Sequence, residues 1–113
     1  MKVSQREKDD VVICSISGEI NIDTVAELKA VFQEILAKNC RKVLLNFDQV
    51  EYIDSLGIAS LVELAKALSE PQGVMFLSNL SPNIRPIFGI TKLERIFHIY
   101  DTEEEALREF HGY

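Results

Sequence analysis

The spacing of apolar residues in this chain changes period several times. VVICSIS, from Val11 to Ser17, is rich in strand-forming residues, and Lys8-Asp9-Asp10 before it favours a turn. With Met1 to Glu7 on the other side, the first seventeen residues predict a β-hairpin, and Gly18 is expected to end its second strand. From Thr24 to about Lys38 the period becomes helical. Leu28, Phe32, Ile35 and Leu36 recur at helical spacing, and Thr24 with Glu27 forms a capping-box pattern at the helix start. The apolar side of this helix is expected to face a sheet.

VLLNF, from Val43 to Phe47, is a short apolar run of the kind found in strands buried on both faces. A crossover helix just before it predicts parallel pairing. A second helix is expected from about Leu56 to Leu68, stopped by Glu70-Pro71-Gln72-Gly73. VMFLS, Val74 to Ser78, predicts another buried strand. Ser81-Pro82 reads as N-cap and first residue of a short helix ending at Gly89, and Thr91 with Glu94 repeats the capping-box pattern. Phe97 to Tyr100 predicts a last short strand. DTEEEALREF then predicts a helix capped by Thr102 with Glu105, its first turn rich in acids and Arg108 near its end. The strand–helix–strand rhythm defines an α/β fold: one domain over residues 1–113, with a mixed sheet of about five strands backed by about four helices.

Composition narrows the function. A chain of 113 residues with 47% hydrophobic content can bury a core without disulfides or metal. No apolar run of roughly 18 residues could span a bilayer, and MKVSQREKDD lacks the order of a secretory signal, so a cytoplasmic protein without membrane insertion is expected. The net charge is −6, from 18 acidic and 12 basic residues, and no segment gathers Lys and Arg as a nucleic-acid surface requires. Cys14 and Cys40 stand in no CxxC spacing and near no histidine, and they read as reduced packing or surface cysteines.

Catalytic chemistry finds little support. His98 and His111 do not stand at metal-ligand spacing with the cysteines. A hydrolytic serine needs a base in reach and a context such as GxSxG, whereas Ser55 sits in IDSLG. The five glycines are scattered, so neither GxGxxG nor a Walker loop can be written. Glu103, Glu104 and Glu105 point in different directions around a helix and suit its N-terminus. The expectation is no enzyme activity, no cofactor and no metal.

The segment around Ser55 is different. Asp54 or Ser55 could cap the following helix, an interaction of about 0.5–2 kcal/mol, but two adjacent capping residues exceed what a cap needs. Gly57 in the first turn weakens a helix by about 1 kcal/mol relative to alanine, which suggests that something approaches the backbone there. A loop that follows a strand and opens a helix is where α/β sheets display functional groups. Phosphate on Ser55 would meet free amides and the positive end of the helix. Its charge, next to Asp54 and near Asp23 or Glu51, would repel an acidic partner surface and disturb apolar contacts made by Leu56, Ile58 or Ala59.

ISGEINIDTVAEL, VLLNFDQVEYIDSLGIASL and LSPNIRPIFGITKLERIFHIYDTEEEAL together resemble the STAS domain family, that of sulfate transporters and anti-sigma factor antagonists. The resemblance spans nearly the whole chain and is closest to the free-standing bacterial members. It implies a non-catalytic protein in a partner-switching cycle that regulates transcription in stress or developmental signalling. The unphosphorylated antagonist binds a GHKL-type serine kinase that otherwise sequesters a sigma factor or another target, the kinase phosphorylates it, and a metal-dependent serine phosphatase reverses this. The acceptor serine matches Ser55, beside Asp54. Asn21, Ile22, Asp23 and Thr24 match the neighbouring loop that contacts the kinase, and Leu56, Gly57, Ile58 and Ala59 extend the partner surface along the helix.

Two positions depart from the family pattern. Leu56 replaces a second hydroxyl residue common after the acceptor, and Asn21 replaces an acid often found after Gly-Glu-hydrophobic. The alternative reading is a binding subunit without a phosphoswitch, docked on a transport ATPase or another signalling complex through the apolar Leu56–Ile58–Ala59 edge.

Overall fold

The structure is a computed structural model that describes residues 1–112, with the side chain of Glu94 outside the described set. The chain runs through β1 (Lys2–Lys8), β2 (Val11–Ile20), α1 (Val25–Ala37), β3 (Lys42–Ile53), α2 (Ser55–Ser69), β4 (Val74–Ser78) and α3 (Arg85–Ile90). A short 3-10 turn at Leu93–Arg95 leads to β5 (His98–Tyr100), α4 (Glu103–Glu109) and a final 3-10 turn. The five strands lie in the order β1-β2-β3-β4-β5, with β1 antiparallel to β2 and each later neighbour parallel. The α/β mixed sheet and the helices that back it are as the sequence predicts.

The hairpin turns on Asp9 and Asp10, both with positive φ (51° and 69°), as a two-residue turn matching strand twist requires. Three parallel connections that step one way across a sheet place their helices on one face, because such crossovers are right-handed. Val12, Cys14 and Ile16 of β2, Val43, Leu45 and Phe47 of β3, and Met75 and Leu77 of β4 accordingly share one buried cluster with α1, α2 and α3. The alternate residues Val11, Ile13, Leu44 and Phe76 point the other way, onto Ala106 of α4 and Phe110. Phe110 stacks on Phe76 with ring centroids 4.0 Å apart. Both faces of VLLNF are thus covered, which explains its unbroken apolar run. Cys14 is fully buried, and that burial, with Cys40 nearby, pushes its thiol pKa up to about 12.

The two central strands exceed their expected lengths. β2 continues through Gly18, whose φ of +93° suits glycine, and β3 continues from Phe47 to Ile53. Register shifts between Ser15 and Ser17 and between Gly18 and Glu19 break the period-two pattern without ending the pairing. Asp48-Gln49 looks like an end in sequence, but Val50 and Ile53 still point inward and are buried.

Three of the expected caps are also different. The Thr24 hydroxyl does not cap α1: it turns back to accept from the Asn21 N–H (2.9 Å) and donate to the Glu19 carbonyl (2.8 Å). Ser81 does not start α3: its carbonyl accepts from Ile84 and Arg85 in a turn, and the helix begins at Arg85. Thr91 does not cap the following turn: it ends α3 and donates to the Ile87 carbonyl, and Lys92 precedes the 3-10 turn; the Glu94 side chain lies outside the described residues. The Thr102 cap of α4 forms as expected, accepting from the Glu105 N–H at 3.1 Å. β5 begins at His98, and Phe97 is buried just before it.

Candidate functional site

β3 and β2 end side by side, Ile20 opposite Ile53, and the next residues build the site. Asp54 uses all its polar groups. Its amide donates to the Ile20 carbonyl (3.0 Å) and its carbonyl accepts from Ile58 (3.0 Å). One carboxylate oxygen caps α2 through the Gly57 N–H (3.0 Å), and the other accepts from the Ile22 N–H (3.1 Å). A charged acceptor makes these bonds stronger than neutral ones. The side chain therefore fixes the helix start and fastens the β2–α1 loop to it.

The loop is also braced from within. Besides the two short bonds of the Thr24 hydroxyl, Asn21 Oδ1 accepts from the Asp23 N–H (2.9 Å), and the Asn21 carbonyl accepts from the N–H groups of Thr24 (3.0 Å) and Val25 (2.8 Å) and, more weakly, from the Thr24 hydroxyl (3.4 Å). An amide oxygen at position 21 makes the acceptor bond that a carboxylate there would make. With its polar groups turned inward, the loop leaves Ile22 68% exposed.

Because Asp54 is the cap, Ser55 is not needed as one. It is the first residue of α2, exposed, and its hydroxyl makes no hydrogen bond to a described residue. Leu56 follows at 45% exposure, and Ala59 is exposed one turn on. Ile58 is half-buried against the core and Gly57 is buried, so only part of the expected Leu56–Ile58–Ala59 edge faces outward. A Cβ on Gly57 would lie 2.6 Å from Ile20 Cγ2 and 2.8 Å from Ile53 Cγ1. What approaches the backbone is thus the pair of isoleucines that close the two strands.

Tyr52, 48% exposed, precedes the buried Ile53 at the end of β3 and so borders the site; a strand ending at Phe47, as expected from sequence, does not reach it. The missed signal is the spacing Val50…Ile53, which keeps an inward residue on each side of Tyr52. The surroundings are acidic. Residues 18–28 and 43–65 contain no Lys or Arg, and Glu19, Asp23, Asp48 and Glu51 are exposed. Ile22, Tyr52 and Leu56 therefore stand among negative charges around an accessible hydroxyl.

The small α/β fold thus presents a braced loop and a helix start at the carboxyl ends of its strands. The chain belongs to the STAS domain family, whose model matches residues 2–106. It is 38% identical over 105 residues to a Thermotoga neapolitana protein provisionally named an anti-sigma factor antagonist, covering 92% of this chain and 93% of that one. The crystal structure of a Thermotoga maritima protein given the same provisional name superposes with a TM-score of 0.90 at 34% identity, covering 95% and 92% of the two chains. The anti-sigma factor antagonist SpoIIAA, at 22% identity, shares the fold. Its unphosphorylated form gives a TM-score of 0.76, covering 99% of this chain and 100% of that one. The phosphorylated form, described as a Bacillus cell fate determinant, gives 0.74, covering 96% and 99%.

Proposed function

We propose that this chain is an anti-sigma factor antagonist that works by partner switching. Unphosphorylated, it binds a GHKL-type serine kinase that holds a sigma factor or similar target; phosphorylation of Ser55 releases it, and a metal-dependent serine phosphatase restores it. Asn21, Ile22, Asp23, Thr24, Asp54, Ser55, Leu56, Gly57, Ile58 and Ala59 form or support the docking face. It acts in the cytoplasm as a regulator of transcription and not as an enzyme. The observation that carries this reading is the Ser55 hydroxyl, exposed and without a hydrogen-bond partner among the described residues at the first position of α2, where Asp54 does the capping.

A phosphoryl group there adds about 1.5–2 negative charges beside the N-terminus of a helix, where the dipole favours anions by about 0.3–1 kcal/mol. The fold tolerates it. The cost falls on the docked partner, because Leu56 and Ile22 lose an uncharged neighbour and an already acidic face becomes more so. SpoIIAA has been solved both with and without phosphate, which supports a similar switch in a protein of the same fold.

The experiment is to purify tagged wild-type, Ser55→Ala and Ser55→Asp proteins from the source organism and compare the partner each retains, with intact-mass analysis of the wild type. Ser55→Ala should hold the kinase and Ser55→Asp should lose it by at least about 100-fold in affinity, a loss of the order reported for charges placed in an interface. Equal retention by both variants, with no phosphate on Ser55 in any growth or stress condition, would sink the switch. It would favour a permanent binding subunit, the reading that the exposed Ile22, Tyr52 and Leu56 also suit.

A further inference from the structure

Among the described residues, the exposed large hydrophobic side chains fall into two groups. Ile22, Tyr52 and Leu56 lie on the acidic face around Ser55, whereas Ile90 (82% exposed) and Ile96 (57% exposed) lie at the corner formed by the end of α3 and the following 3-10 turn. These groups sit at opposite ends of the sheet. Ser55 follows the last residue of β3, and the α3 corner leads into the first residue of β5.

Their charges are opposite as well. Within the acidic chain, residues 85–98 carry three basic residues and one acid. Arg85 is paired with Asp101 at 3.0 Å, but Lys92 and Arg95 are exposed and make no ion pair with a described residue. Lys92 also adopts a left-handed backbone, φ 61° and ψ 21°. That conformation costs a non-glycine residue about 1–2 kcal/mol, and it holds the lysine in the turn between Ile90 and Ile96.

We infer that the α3 corner of one copy takes the Ser55 face of a second copy. Ile90 and Ile96 would meet Ile22, Tyr52 and Leu56, while Lys92 and Arg95 would meet Glu19, Asp23 and Glu51. The charge complementarity lies within a single sequence, so no other protein is needed to supply it. The contact is head-to-tail: each end of the molecule stays competent for a further copy, and assembly proceeds as short open chains. With two isoleucines on one side and three apolar side chains on the other, the contact is small, weak and sensitive to salt. Its consequence, which rests on the partner-switching reading, is that a copy docked this way hides Ser55 from kinase and phosphatase at high local concentration.

Sedimentation of the purified full chain, with no kinase present, tests the contact separately from the switch. At low salt the weight-average mass should rise with concentration. At about 0.5 M salt, where the Debye length is ~4 Å, it should return to that of the monomer. Two variants, each with the fold checked by circular dichroism, sharpen the result. Lys92→Glu with Arg95→Glu removes the corner, and Ile22→Ser with Leu56→Ser removes the Ser55 face. Each should be monomeric alone, and the two mixed should form a one-to-one heterodimer and nothing larger. A wild type that stays monomeric throughout overturns the inference. So does association that either variant retains alone, or two variants that ignore each other when mixed.

Discussion

The starts of α2 and α3 look alike in sequence and differ in the folded chain. Each follows a strand at the carboxyl end of the sheet, and each offers serine where a helix should begin, Asp54-Ser55 in one case and Ser81-Pro82 in the other. At α2, Asp54 accepts from two amides and leaves Ser55 free at the surface. At α3, Ser81 lies before a turn, the helix starts at Arg85 without a side-chain cap, and the Ser81 hydroxyl is buried with no hydrogen-bond partner. The difference arises from what lies alongside. α2 starts beside the end of β2 and the loop that follows it, so one carboxylate can serve both, whereas the loop after β5 reaches the start of α3 through the exposed Asp101–Arg85 ion pair, which satisfies no helix amide. A serine near a helix start is a functional candidate only when another residue has already satisfied the helix.

Filling the space that Gly57 leaves should have the largest effect on stability. Gly57→Val would drive a branched side chain into Ile20 and Ile53, both buried and unable to swing aside. Overpacking of this kind costs about 1–3 kcal/mol or more, against a helix-propensity gain of less than 1. Denaturant unfolding should show a clear fall in midpoint. An unchanged midpoint would mean that the two isoleucines do not hold the α2 start in place.

Removing the carboxylate should come next. Asp54→Ala loses the Gly57 cap and the bond to the Ile22 N–H, for a combined loss of about 1–3 kcal/mol. The loop should loosen along with the helix, so amide exchange at Ile22 and Gly57 should rise together. Asp54→Asn keeps an acceptor for only one of those amides and turns its NH2, a donor, toward the other, so it should restore protection at no more than one of the two. Faster exchange at Gly57 alone would show that the loop is held by its own hydrogen bonds and not by Asp54.

Helix and strand identities were legible because burial follows the period: Leu28, Phe32 and Ile35 are buried on α1, and the alternate residues of VLLNF divide between two cores. The acceptor candidate was legible because two capping residues stood together where one suffices. The extents of β2 and β3 were not, because register shifts near Gly18 and Gln49 interrupt the alternation while hydrogen bonding continues. Tyr52 was lost with them. Nor can sequence tell apart two T-x-x-E patterns. Thr102 caps α4 by accepting from the Glu105 N–H, whereas Thr24 bonds to Asn21 and Glu19 within a tight loop, and only the path of the preceding chain decides between them.

The smallest effects separate the two serines. Ser55→Ala should leave stability within about 0.5 kcal/mol of wild type, because an exposed hydroxyl with no intramolecular bond contributes little when removed. Ser81→Ala removes a buried hydroxyl that has no hydrogen-bond partner, so it should be neutral or stabilising by up to about 1 kcal/mol, the desolvation cost of the group being relieved. The Ser55→Ala unfolding curve should therefore lie close to that of wild type and the Ser81→Ala curve at or above it, in contrast to Asp54→Ala. A loss of more than about 1 kcal/mol for Ser55→Ala would mean that its hydroxyl helps to cap α2. The two starts would then differ only in degree, and the argument that Asp54 frees Ser55 for modification would lose its basis.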